Sequence, residues 1–217
     1  MADNGSTNKS FLAADLFAGA GGFSLSAQNL GIKIAAAVEF DKHAASTYRK
    51  NFIEGKDTPP ILFEENISSL TPGRFMKEAG LGKGDLDIIM GGPPCQGFST
   101  HRIKGAGVGD ERNQLLIRYF QYVSALRPKM FILENVPGLL WPRHKSYLDD
   151  FYRQANSNKY KVYDPLIMNA QDFGAPQNRK RVFILGVARE YEGHLVWPPS
   201  KSHSSPKACE EGNGLMP

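Results

Sequence analysis

The chain has 217 residues, 41% of them apolar and 22% charged, with a formal net charge of +4. At ~100–200 residues per domain this length fits one domain or one domain with a small appendage, and the composition excludes wholesale disorder. No run approaches the ~20 apolar residues of a membrane span, residues 1–9 are polar, and two cysteines, Cys95 and Cys209, exclude a disulfide framework. No Cys/His spacing has the form of a zinc site, so neither a metal nor a membrane is expected. A reducing, cytoplasmic location is expected, at the nucleoid in a prokaryote. The basic balance suits a polyanionic partner without requiring one.

Residues 11–17 form an apolar run that Gly19-Ala20-Gly21-Gly22 cuts off, and residues 23–30 then take helical spacing up to Gly31. This predicts a strand, a glycine turn and a helix. Residues 34–38 read as a second strand, 42–51 as a helix and 61–63 as a third strand. Residues 86–90 form a buried strand that breaks at Gly91-Gly92-Pro93-Pro94, and 131–133 form another that breaks at Pro137-Gly138. Between them lies a helix with Leu115, Leu116, Tyr119, Phe120, Val123 and Leu126 on one face. The alternation predicts an α/β fold with a doubly wound, mostly parallel sheet, whose ligands bind at the carboxyl ends of the strands. Residues 161–168 and 181–187 are strand-like and too close for a helical crossover, which predicts an antiparallel edge. The expected organisation is a polar leader over 1–10, a globular domain over 11–190 and an irregular tail over 191–217.

Four segments carry chemistry. Glycines at 19, 21 and 22 let the backbone approach a ligand and leave helix N–H groups free to donate. Glu39, twenty positions after Gly19, is placed to accept hydrogen bonds from ribose hydroxyls. The order Gly-Ala-Gly-Gly-Phe departs from the dinucleotide pattern G-x-G-x-x-G and suits an adenosyl ligand without a pyrophosphate. The second segment, Gly91-Gly92-Pro93-Pro94-Cys95-Gln96-Gly97-Phe98-Ser99, holds a cysteine behind two rigid prolines with no apolar face to bury. It leads into a stretch with His101, Arg102, Lys104 and Arg112, which suits a loop over an anionic backbone. Glu134-Asn135-Val136 and Gln177-Asn178-Arg179-Lys180-Arg181 are the third and fourth, and they would bring a carboxyl group and guanidinium groups toward Cys95.

In this order, Asp-Leu-Phe-Ala-Gly-Ala-Gly-Gly-Phe, Gly-Gly-Pro-Pro-Cys-Gln-Gly-Phe-Ser, Glu-Asn-Val and Gln-Asn-Arg-Lys-Arg resemble the signature motifs of the cytosine-5 DNA methyltransferases. Residues 110–116 resemble the family's segment after the catalytic loop. The resemblance implies a Rossmann-like S-adenosylmethionine-dependent fold and methyl transfer to carbon 5 of a flipped cytosine in double-stranded DNA. It implies Cys95 as nucleophile, Glu134 as the group that holds the ring, and Arg179 with Asn135 as their catalytic companions. Phe17, Ala20, Gly22, Glu39, Asn66, Ile67 and Pro94 would bind the cofactor, and Ser99, Arg102, Lys104, Arg112 and Arg181 the DNA. Asn66 stands where the family usually has an aspartate, so weaker cofactor binding is expected. The family's target-reading domain and later motifs are not found up to Pro217, which implies either a fragment of a longer protein or one subunit of a split enzyme completed by a complementary polypeptide. Two other readings remain open: a catalytically silent DNA-binding remnant, and an RNA cytosine-5 methyltransferase.

Overall fold

A computed structural model describes residues 10–94 and 114–204. Their backbone divides into two compact units, residues 10–91 with 121–130, and residues 92–94 and 114–120 with 131–204.

In the first unit the strands β1 (Leu12–Leu16), β2 (Lys33–Val38), β3 (Ile61–Phe63) and β4 (Ile88–Gly91) lie in the order β3-β2-β1-β4. All of these pairs are parallel, and Leu16 pairs with both Val38 and Gly91 while Val38 also pairs with Phe63. The four strands therefore end level, so the residues that follow β1, β2 and β3 gather at one carboxyl edge. Helix α1 (Gly22–Asn29) follows the glycine turn, and α2 (Lys42–Phe52) begins at Asp41, whose side chain accepts the His43 and Ala44 N–H groups. Behind the turn, Ala18, Ala37, Tyr48 and Phe52 form a buried cluster that locks α2 against β2.

The second unit contains β5 (Met130–Asn135, from Phe131 onward), α5 (Lys145–Ser157), β6 (Tyr160–Val162), β7 (Leu166–Asn169) and β8 (Lys180–Ala188). Its strand order is β5-β8-β6, with β7 also on β8, and both β6 and β7 run antiparallel to β8. A mostly parallel α/β sheet with an antiparallel edge is thus what the sequence predicts. Phe131 packs edge-on against Phe120, Phe151 and Tyr160, at ring centroid distances of 6.0, 5.8 and 5.4 Å. A side chain at Gly186 would overlap the Phe131 ring, so a glycine in β8 makes room for the centre of this core.

Three details differ from expectation. The run 161–168 is two strands, because Pro165 has no N–H to give the ladder and the chain leaves β8 after Tyr163 donates to Leu185. In α4 (Gln114–Leu126) Tyr122 is fully buried and donates to the Leu70 carbonyl, while Leu115 is only partly buried. Helices α3 (Pro72–Glu78) and α5 fall outside the elements expected above. Yet α3 opens with Thr71 accepting the Arg74 N–H and Pro72 in its first turn, and α5 buries Leu148, Phe151 and Ala155 at helical spacing.

Candidate active site

The glycine turn is built from backbone conformations that most residues avoid. Gly19 and Gly21 have φ of 58° and 99°, and Phe17, a non-glycine, has φ of 62°. A side chain held there costs roughly 1–3 kcal/mol and tends to mark a ligand site. A Cβ at Gly21 would run into the Phe52 ring, whereas one at Gly19 or Gly22 would meet open space, so the turn is packed from behind and accessible in front.

Glu39 fixes that turn to the end of β2. Its Oε2 accepts the Gly19 N–H at 2.7 Å, and its Oε1 accepts the N–H groups of Phe40 and Asp41 at 2.9 and 2.8 Å. Three backbone donors occupy most of the four or so lone-pair positions of a carboxylate. The lone-pair positions left over are those that a ribose hydroxyl could use. Ala20 and Gly22 are exposed beside it, and Ile67 is buried. Asn66 is exposed, and its Oδ1 accepts the Ser68 N–H at 2.9 Å. Phe40, absent from the sequence reading, is 59% exposed immediately after Glu39. An aromatic ring left in water beside Glu39 was legible as Glu39-Phe40, a strand end followed by an apolar residue with no helical partner.

Beneath the turn lies a buried polar chain. Asp15 Oδ2 accepts the Ser24 N–H and Oγ–H at 3.1 and 2.7 Å, and Ser24 Oγ lies 2.9 Å from the Tyr48 hydroxyl. Helix α1 has no side-chain cap at Gly21, and Asp15 supplies one from the strand. Asp15 is fully buried, and loss of water pushes its carboxyl up to about 7, against the lowering effect of Ser24 and with a smaller push from Glu39. Loss of water likewise raises the Tyr48 hydroxyl far above its usual range.

In the second unit Glu134, near the end of β5, pairs through Oε1 with Arg181 Nε at 2.7 Å, and the two side chains are 25% and 24% exposed. Arg179 is exposed. Arg179 and Arg181 are two positions apart and so share one side of the chain, and it is Arg181, expected by resemblance at the DNA, that makes the ion pair with Glu134. Gly92 permits the approach, since a Cβ there would sit 3.3 Å from Glu134 Oε2. Asn135 is buried, donates through Nδ2 to the Pro93 carbonyl at 3.2 Å and accepts the Val136 N–H at 2.8 Å. It thereby ties β5 to Pro93-Pro94, the pair of residues that runs into Cys95. Glu134, Arg179 and Arg181 line a cavity of about 380 Å³ whose other walls are Met168, Ala170, Phe173, Phe183 and Pro199. Cys95, Ser99, Arg102, Lys104 and Arg112 lie outside the described residues.

A glycine turn and an anchored carboxylate at the carboxyl edge of a parallel sheet define a Rossmann-like α/β protein. Similarity to known proteins narrows the class: the family model for C-5 cytosine-specific DNA methylases matches residues 11–213, and the chain belongs to that family. It is 36% identical over 193 residues to the type II methyltransferase M.AgeI of Thalassovita gelatinovora, covering 89% of this chain and 42% of that protein. It is 36% identical over 179 residues to the type II methyltransferase M.XorII of Xanthomonas oryzae, covering 82% and 41%. An E. coli prophage-encoded protein described as a DNA modification methyltransferase has a crystal structure that superposes with a TM-score of 0.71 at 34% identity, covering 84% of this chain and 48% of that one. The chain spans less than half the length of these relatives. The family resemblance read from the motifs is borne out, and family and fold together imply a methyl donor. Among the described residues no helix is long and apolar enough to cross a membrane, and no His/Cys/Asp/Glu group has a metal-holding arrangement.

Proposed function

We propose that this chain carries the catalytic centre of a cytosine-5 DNA methyltransferase that uses S-adenosylmethionine. The observation that carries the reading is the Glu134–Arg181 pair lining a half-open cavity, with Asn135 holding the segment that enters Cys95. Carbon 5 of cytosine is a poor nucleophile. The Cys95 thiolate adds to carbon 6, with Glu134 hydrogen-bonding ring nitrogen 3 and the exocyclic amine as charge develops. Arg181 orients Glu134 and reaches the base oxygen, while exposed Arg179 is free for the DNA backbone. Removal of the carbon-5 proton and expulsion of Cys95 then restore the ring.

The open face of the glycine turn fits S-adenosylmethionine, with Phe17, Ala20 and Gly22 at the turn, Glu39 taking a ribose hydroxyl, Phe40 offering a ring face, and Asn66 and Ile67 meeting the adenine, and the family resemblance adds Pro94 to the cofactor residues. When bound, this cofactor supplies the electrophilic methyl group. The target base is turned out of the duplex, and Ser99, Arg102, Lys104 and Arg112 follow the strand. Reading of a particular DNA sequence is assigned to polypeptide beyond the matched residues, because the relatives are more than twice as long as the part matched. The test is covalent trapping on DNA in which every cytosine is 5-fluorocytosine, with and without a complementary polypeptide. A trapped complex through Cys95 is expected. Trapping on 5-fluorocytosine RNA in place of DNA would move the substrate to RNA, and trapping on neither would leave the silent DNA-binding remnant.

A further inference from the structure

The segment after β8 turns back onto the loop between β7 and β8. Ser202 and His203 both donate their backbone N–H to the Asp172 carbonyl, each at 3.1 Å. The Asp172 carboxylate pairs with Lys201 Nζ at 2.8 Å. The His203 ring lies over Gly174, where a Cβ would come within 2.7 Å of its Cε1, and Gly174 takes a φ of 91° that favours glycine. Ser202 Oγ lies 2.9 Å from His203 Nδ1. Four contacts thus fasten a six-residue strap to a five-residue turn, and the Ser202–His203 contact braces the strap itself.

The fastened parts face the same cavity. Phe173 and Ala170 come from the turn, Pro199 from the strap, and Glu134 and Arg181 stand with them. Phe173 is 37% exposed on a loop otherwise made of Gln171, Asp172 and Gly174, so its ring stands partly in water. An apolar ring kept in water beside an acid–arginine pair is what a planar, partly polar ligand requires: polar groups read its edge and apolar surface covers its face.

We propose that residues 198–203 form a strap that builds the outer wall of the target-base cavity, with Phe173 and Pro199 as base-contacting residues and Asp172 and His203 as positioning residues. The proposal rests on the cytosine reading above. The wall holds the flipped ring in place and keeps water off it while the thiolate adds, so its loss lowers the covalent step and not the grip on the duplex.

The experiment measures the rate of covalent trapping on duplex in which every cytosine is 5-fluorocytosine, by the whole chain with S-adenosylmethionine and a complementary polypeptide where the wild type needs one. Non-covalent affinity for ordinary duplex is measured in parallel. Phe173→Ala and Pro199→Gly are expected to slow trapping at saturating DNA by tenfold or more, with duplex affinity and melting temperature unchanged, and Phe173→Leu to restore most of the rate. His203→Ala is expected to slow trapping several-fold and to speed hydrogen exchange at the Ser202 and His203 amides. Wild-type rates in Phe173→Ala and Pro199→Gly would overturn the strap alone. A wild type that traps no 5-fluorocytosine under either condition would overturn the cytosine reading and the strap with it.

Discussion

Glu39 and Glu134 both stand at the carboxyl ends of strands, one in each compact unit, and each is held in a different way. Glu39 is 9% exposed and accepts three backbone N–H groups, while Glu134 is a quarter exposed and is held by one guanidinium. Backbone donors are set by the path of the chain, so Glu39 is preorganised by the fold itself. A side-chain partner on a neighbouring strand can be removed by one substitution, and it can shift when a substrate arrives. In the proposed function the cofactor side is therefore rigid and the base side adjustable, which would suit a cofactor that never varies and a base admitted from a duplex.

The largest expected break in that contrast is Cys95→Ala, which is expected to abolish methyl transfer and trapping while leaving S-adenosylmethionine binding intact by calorimetry. An unchanged trapped complex in the variant would move the nucleophile elsewhere. The next effect belongs to the rigid side. Asp15 rises from 3.8 to about 7 in the folded chain, so the folded state binds more protons than the unfolded state between those values. Stability falls as pH rises through that window and levels off above it, by up to about 4 kcal/mol for a shift of this size at 1.36 kcal/mol per unit. The charged groups facing Asp15 are few: Ser24 and Tyr48 are neutral partners, and Glu39 is the carboxylate that adds to the rise. Urea unfolding between pH 4 and pH 8 checks this, and Asp15→Asn is expected to flatten the slope.

Arg181→Ala tests the adjustable side. It leaves Glu134 without its partner and is expected to cost ~10²-fold in the rate of trapping, about 3 kcal/mol, with cofactor affinity unchanged. Arg179→Ala is expected to weaken duplex binding instead. Equal losses of rate in the two variants would remove the distinction between them.

The same contrast explains what was legible in the sequence. Glycine turns, Pro-Pro and strand-end acids announce themselves because their residue types are needed for backbone reasons, and all of them fall where the spacing puts them. The Glu134–Arg181 pair was not legible as such, because Arg179 and Arg181 stand two positions apart on the same side of the chain, so alternation does not choose between them and only the packing around Glu134 does. Asp15 reads as part of an apolar strand end, and only the packing of α1 and α2 shows its carboxyl to be sealed by Ser24 and Tyr48. The strap is less visible still, since two of its fastenings are backbone N–H groups that any sequence would supply. Leu148, Phe151 and Ala155 did carry a helical period, so α5 was present in the pattern among many polar residues.

Glu39→Gln sharpens the rigid side at an intermediate cost. An amide can place its oxygen toward Gly19 or toward Phe40 and Asp41, but its NH₂ then faces a backbone N–H at the other position. One donor meets another in either orientation, so the substitution is expected to weaken S-adenosylmethionine binding by about 1–3 kcal/mol and to lower the melting temperature. Calorimetry and thermal unfolding measure the two losses, and full affinity in the variant would show that the anchored turn is not the cofactor site.

The smallest effect expected is a gain. Asn66 spends its Oδ1 on the Ser68 N–H at 2.9 Å, a turn contact that fixes which end of the amide is oxygen. The other end is then an NH₂ donor, and a donor cannot take the hydrogen of an adenine amine. Only the second lone pair of Oδ1 is left for that purpose. Asn66→Asp keeps one oxygen on Ser68 and puts a charged acceptor where the NH₂ stood, in the pattern the family resemblance gives for this position. A charge-assisted bond at an exposed site gains about 1 kcal/mol after solvent screening, so S-adenosylmethionine affinity is expected to rise roughly fivefold. The analogue with a purine lacking the amine separates the cause, because its affinity is expected to stay the same in both proteins. A gain of equal size for that analogue would assign the effect to net charge near the sulfonium and remove Asn66 from the adenine contact.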